Sequence, residues 1–263
     1  PVTHIGSSEV RQYGAWEQIA GIFGMPNEAV LRSLTIPEGV LVLKENAFNG
    51  LKVLSPVSLP SSVVSLGDGC FNGFVGEVIF SDGGNLTYIG KNAFHGVTFR
   101  GTLVLPDGLK TIDRSAFYNV KTTGVIVPDS VEVIFDSAFY QPNGYIRFMF
   151  IPDSVKYLAS VSGTVYTPLS EEQFKELYDD GCTLCAGVEE STVILSDGET
   201  TQTLAGYAFS LPRPQKDGYT FLGWKDENGE FVADCYIPNR PAVLTAVYEK
   251  QSSEDGRELG NAV

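Results

Sequence analysis

Histidine is almost missing from this chain: His4 and His95 are the only two. That excludes a His-Glu-x-x-His zinc helix and leaves little for general acid–base work. The four cysteines supply one Cys-x-x-Cys, at Cys182 and Cys185, and no second pair to complete a zinc site. No Gly-Lys-Ser phosphate loop and no Gly-x-Ser-x-Gly nucleophile elbow occurs. An enzyme is therefore not expected, and no cofactor is implied. No apolar run approaches the ~20 residues that a membrane-spanning helix needs. No signal peptide opens the chain, and since a mature or a trimmed chain would also lack one, this does not argue for the cytosol. Cations are scarce as well. Lys and Arg number 18 against 32 Asp and Glu, giving a net charge of −14. A basic footprint for nucleic acid is absent.

The deficit of cations is local. Residues 33–165 hold 9 basic and 11 acidic residues, whereas residues 166–263 hold 7 basic and 18 acidic ones. An acidic half of this kind favours solubility and repels its own copies.

What the chain does have is a period. Phe48, Phe71, Phe94, Phe117 and Phe139 follow one another at steps of 23, 23, 23 and 22 residues. Each is preceded by a small residue, Ala47, Cys70, Ala93, Ala116 or Ala138. A second column is Leu43, Leu66, Ile89, Ile112, Ile134 and Leu158, and a third is Val40, Val63, Leu86, Leu109, Val131 and Val155. An aliphatic-Pro pair leads the units at Ile36-Pro37, Leu59-Pro60, Leu105-Pro106, Val127-Pro128 and Ile151-Pro152; the third unit has Phe80-Ser81 instead. A fixed period of this length means a solenoid whose coils bury their apolar columns against one another. Proline in nearly every unit forbids a long helix. Alternation at Leu103/Leu105, Val125/Val127 and Met149/Ile151 predicts a short strand in each coil. Asn49-Gly50, Asn72-Gly73 and His95-Gly96 predict turns with a left-handed residue.

The pattern aliphatic-Pro-x-x-Val-x-x-Ile-x-x-x-Ala-Phe resembles the BspA-type leucine-rich repeat of bacterial surface proteins. It covers residues 33–165 in five good copies and a sixth that lacks Ala-Phe. The resemblance implies a leucine-rich-repeat solenoid with short strands on one side and turns or short helical segments on the other. It also implies a secreted or surface-displayed protein that adheres to host proteins or to other cells.

Around this segment the organisation is as follows. Trp16, Ile19, Ala20 and Phe23 recur at helical spacing within residues 1–32, an N-terminal cap for the open end of the solenoid. Residues 166–189 form a helical end cap or joint. Ser170 is placed to cap a helix, Gln173 completes a capping box, Leu169 and Phe174 make a hydrophobic staple, and Gly181 ends the helix. Residues 190–250 read as a small β-rich module of four strands, with Asn228-Gly229 as a tight turn. Its Gly218, Tyr219, Phe221, Gly223 and Trp224 resemble the core of the Listeria–Bacteroides repeat, which implies a stalk or spacer. Residues 251–263 have a disordered composition.

Candidate sites are few. Residues between the inward strand positions point outward, which gives the column Thr35, Ser58, Ile79, Val104, Ile126 and Phe150, with Phe148 on the same face. It turns from polar to apolar along the chain. Ile79, Val104, Ile126, Phe148 and Phe150 are thus the candidate partner-binding residues, since a contiguous exposed apolar stripe marks a contact surface. Burial by a following domain or by a second copy is the competing expectation. Cys182 and Cys185 can form a local disulfide or remain thiols. His95 stands in a turn column with Asn49, Asn72, Tyr118 and Tyr140, a solvent-facing position. The expected function is non-covalent binding of a protein ligand, such as a host extracellular or other cell-surface protein, with a purely structural spacer as the alternative.

Overall fold

Two- and three-residue strands are too short to stand alone, and here each is held by its equivalents in neighbouring coils. The structure, a computed structural model, describes residues 4–5, 30–81, 83–178, 182–233, 235–238 and 242–251. The cap expected over residues 1–32 falls outside them except at residues 4–5 and 30–32, and so does the tail beyond Gln251. The chain forms two units, residues 1–188 and 189–263.

In the first unit most coils contribute two strands. The Leu/Ile column builds a seven-stranded parallel sheet from β1 (His4–Ile5), β2 (Val42–Leu43), β4 (Ser65–Leu66), β6 (Tyr88–Ile89), β8 (Thr111–Ile112), β10 (Val133–Ile134) and β12 (Tyr157–Leu158). The aliphatic-Pro positions build β3 (Val57–Ser58) and β5 (Val78–Ile79), which pair with each other. They also build β7 (Thr102–Val104), β9 (Gly124–Ile126) and β11 (Phe148–Phe150), which β13 (Thr164–Tyr166) and β14 (Thr183–Cys185) extend to a five-stranded parallel sheet without an aliphatic-Pro pair. The break between these two sheets falls at the unit that carries Phe80-Ser81 in place of aliphatic-Pro. The result is a leucine-rich-repeat solenoid with almost no helix. Its second ladder, through the Leu/Ile column, has no alternation long enough to mark it in the sequence.

The Ala-Phe blocks make the third side of each coil. Their rings stack from coil to coil, with centroids 5.2 Å apart for Phe48–Phe71, 5.3 Å for Phe71–Phe94, and 5.2 Å for Phe94–Phe117 and Phe117–Phe139. The small residues before them are buried, so a larger side chain there would meet the next coil. Backbone bonds alternate in direction. The N–H groups of Ala47, Asn49 and Leu51 close turns onto carbonyls three residues back, whereas those of Asn46, Phe48 and Gly50 cross to Asp68, Cys70 and Asn72 in the next coil at 2.7–2.8 Å. The crossing requires a left-handed backbone at two positions per coil. One is the expected Gly50, Gly73 or Gly96, with Asn119 in the equivalent place of the next coil; the other is Asn46, Gly69, Asn92, Ser115 or Ser137, with φ of 54–61°. Gly and Asn take this conformation most cheaply.

The sixth unit ends the ladder of Ala-Phe turn bonds, while the strand ladders run on. Earlier phenylalanine N–H groups donate to a backbone carbonyl of the next coil, but that of Phe139 donates to Ser160 Oγ at 3.2 Å, and Ser162 Oγ donates to the Phe139 carbonyl at 2.6 Å. Hydroxyls thus replace the missing Ala-Phe turn. Helix α1 (Glu171–Leu177) follows, with Ser170 as N-cap and the Gln173 capping box in place. Its Phe174 is buried in the solenoid core, and Leu169, Leu177 and Tyr178 pack on the same cluster.

The second unit is β-rich. Strands β15 (Ser191–Ser196), β16 (Thr201–Gly206), β18 (Tyr219–Lys225) and β20 (Ala242–Lys250) form one sheet in the order β16-β15-β20-β18, and β17 (Phe209–Ser210) pairs with β19 (Cys235–Tyr236). Its own core holds Val193, Leu195, Phe209, Leu211, Trp224 and Leu244. The Trp224 indole N–H is satisfied by the Pro212 carbonyl at 2.7 Å. Gly229 takes φ +80° in the turn after β18.

Phe117→Ala, which empties the middle of the ring stack, is expected to destabilise the solenoid by about 3–5 kcal/mol in guanidinium unfolding. Ser160→Ala orphans the buried Phe139 N–H and is expected to lose about 1–3 kcal/mol. A neutral Ser160→Ala would show that the hydroxyl does not terminate the ladder.

Candidate binding surface

The outward strand residues are brought together by register. Val104 faces Ile126, Ile126 faces Phe150, Phe150 faces Tyr166 and Tyr166 faces Cys185, a single row across the five-stranded sheet. Ile79 faces Ser58 in the separate pair. Phe148 belongs to the neighbouring row with Thr102, Gly124 and Thr164. Its ring lies on Gly124: a Cβ added there would sit 2.2 Å from Phe148 Cζ, so only glycine admits it.

Exposure divides the candidates. Ile79 is 44% exposed and Val104 37%, and Phe148 is half-buried. Ile126 and Phe150 are buried, at 8% and 3%. The expectation that the stripe stays open through these two residues is therefore corrected. Alternation assigns a face to a side chain, but what stands over that face depends on residues remote in sequence. Ile126 is flanked by Val104 and Phe150 in its own row, and the Phe148 ring reaches over Gly124 beside it.

The Cys182–Cys185 segment contains the last solenoid strand. Cys182 and Cys185 are both unpaired, the first half-buried and the second exposed. Cys185 ends β14, and three residues of extended chain separate Cα atoms by about 10 Å, beyond the ~7 Å span of a disulfide. Burial raises the Cys182 thiol above the usual range and raises Cys70 much further. Neither is poised as a thiolate nucleophile.

Two features were not legible in the sequence. His95, expected in a solvent-facing turn, stacks on Tyr118 at 5.0 Å, and Tyr118 stands 5.4 Å from Tyr140. The shared column was the available signal. On the seven-stranded sheet, Tyr88 donates its hydroxyl to Asp113 at 2.6 Å. Burial first, then that bond, holds its phenol above the usual tyrosine range.

Carboxylates tie coils together at the rim. Glu38 accepts the Ser61 N–H at 3.0 Å and the Ser62 N–H at 3.3 Å, and these bonds hold it below the ordinary glutamate range. Glu132 lies between Lys156 at 2.8 Å and Lys110 at 3.6 Å, and the Lys156 hydrogen bond is the main cause of its lowered pKa.

Among the described residues no group of three or more His, Cys, Asp or Glu could hold a metal ion. No helix among them is long and apolar enough to cross a membrane. These coils, two parallel ladders and stacked Ala-Phe turns define the class: a leucine-rich-repeat solenoid followed by a small β-rich unit. The family model for the BspA type leucine rich repeat region matches residues 26–146 in six copies, so this segment carries BspA-type repeats. Comparison with curated proteins and with solved structures gave no match. The coil stacking continues beyond the matched residues, through β11, β12 and β13.

Ile126→Ser and Phe150→Ser are each expected to lower unfolding free energy by about 2–4 kcal/mol, as buried apolar positions do. Stability unchanged by both would return these residues to the open surface. The rim carboxylates set an acid dependence. A folded-state pKa below the unfolded one contributes stability that is present above the unfolded value and lost as pH falls through the folded value. Glu38→Gln/Glu132→Gln is therefore expected to melt lower than the parent at neutral pH. The two melting temperatures should converge as the pH falls below the lowered folded-state values of these carboxylates.

Proposed function

We propose that this is a non-catalytic binding protein of the bacterial cell surface or of secreted type. It holds a protein ligand, such as a host extracellular or other cell-surface protein, through the strand face of its solenoid. Solenoids of this kind present an extended surface built from one position per repeat. The observation that carries the reading is the pair Ile79 and Val104, both exposed in an outward column that is otherwise polar or buried. They are carried by short strands whose inward residues Val78 and Leu103 are buried, so the surface is formed before a partner arrives, which lowers the ordering cost of association. Phe148, half-buried over Gly124, forms the aromatic border of the same face, beside the buried Ile126 and Phe150 of Val104's own row.

In this reading residues 1–32 cap the solenoid of residues 33–165, and residues 166–189 close its other end. Residues 190–250 are a spacer module of Listeria–Bacteroides-repeat type. The four-stranded sheet around Trp224 supports that assignment.

Purified extracellular-matrix and epithelial surface proteins, applied singly to immobilised protein, test the proposal. Ile79→Asp/Val104→Asp is expected to weaken a bound partner about tenfold or more, the scale of two contact residues near the centre of an interface. Its melting temperature should stay within about 2 °C of the parent, as for surface substitutions. A partner held equally by both proteins, or no partner for either, moves the function to the spacer.

A further inference from the structure

The second unit contains a cation site that the solenoid's binding role does not use. Lys216 lies on the connection before β18, and its ammonium stands 5.5 Å from the Tyr219 ring centroid and 5.7 Å from that of Tyr248. Glu199, in the turn between β15 and β16, accepts a bond from it at 2.7 Å. The two rings are set edge to face 6.5 Å apart, and Phe221 backs Tyr248 at 5.6 Å. Two aromatic walls and one carboxylate around an alkylammonium are the elements of a cage for quaternary ammonium groups. Here the chain's own lysine fills it. Lys216 and Tyr219 also line an open groove of about 510 Å³ that Arg213, Phe221 and Gln251 border, so the cage has a wet approach.

Nothing holds Lys216 there irreversibly. Its partner Glu199 is 73% exposed, and exposed ion pairs and cation–π contacts are individually weak. A permanent quaternary cation carries no N–H to satisfy and gives up its hydration more readily than a primary ammonium, so the aromatic walls discriminate in its favour. The acidic excess of residues 166–263 draws cations toward this unit rather than anions.

The geometry points to a ligand site for a choline-type quaternary ammonium on the second unit, formed by Tyr219, Tyr248 and Glu199 and competitively occupied in the free protein by Lys216. The site acts independently of the strand-face binding proposed for the solenoid. Occupation by Lys216 lowers the apparent affinity by the fraction of molecules in which the cage is open.

Calorimetric titration of the full chain with tetramethylammonium, choline, phosphocholine and Nε-trimethyllysine, at matched ionic strength, tests this. Lys216→Ala is expected to bind choline about tenfold more tightly than the parent, the effect of an occupant present about nine-tenths of the time. Adding Tyr219→Leu and Tyr248→Leu should abolish the gain. The tightest of the four probes identifies the natural source of the cation. Equal affinity in parent and Lys216→Ala overturns the proposal, as does sodium competing as well as choline. Lys216→Gln repeats the test with the lysine stem retained. If neither variant keeps the near-ultraviolet circular dichroism of the parent, Lys216 is a structural strut and the proposal also fails.

Discussion

Everything in the solenoid depends on one spacing. Neighbouring parallel strands lie about 4.8 Å apart, and the stacked phenylalanine rings lie 5.2–5.3 Å apart. A flat ring seen edge-on fits that interval, and so does a chain turned so that alternate N–H groups reach the next coil. Each column is then a stack of like residues rather than a set of interlocking unlike ones. This is why the small residue before each phenylalanine is buried, and why the backbone adopts positive φ at Asn46, Asn92, Ser115 and Ser137. Departures from the column are compensated nearby. Where Phe80-Ser81 replaces aliphatic-Pro the strand ladder breaks, but the ring stack continues through Phe94, with Phe80 against it at 5.6 Å.

The same rule bears on function. Inward positions are bound to the spacing, while outward positions are free to vary, so any ligand-specific surface must be written in the outward columns. On the strand face that column runs from exposed and polar to buried and apolar, and Ile79 and Val104 stand at the change. The second unit has no such repetition. Its chemistry gathers where Glu199, the segment Lys216–Tyr219 and Tyr248, from three separate places in the chain, meet on one side of a sheet.

Much of the fold was legible in the residues because repetition supplies its own control: a column of five phenylalanines at one step tells the same story five times. The helix at Glu171–Leu177 was legible for a local reason, since Ser170, Gln173 and Phe174 carry its start and its buried face within a single turn. The column Leu43, Leu66 and Ile89 marks core in the sequence but not strand, because two residues are too few to show alternation. The serines that end the ring stack, Ser160 and Ser162, have no sequence signal, because they stand where the Ala-Phe column has already stopped.

The order of the amino acids by itself determined the coil, its period and which side chains face inward, because these follow from local backbone preference and from columns that recur at fixed steps. Only the tertiary structure decided which outward side chains meet solvent. Ile126 and Phe150 carry the same pattern as Val104, yet they are buried where it is exposed. Cys182 and Cys185 are close in sequence yet kept apart by extended chain, while Lys216 and Tyr248 are distant in sequence and in contact. Periodicity sets a side chain's direction, whereas burial and encounter depend on what the rest of the chain places in that direction.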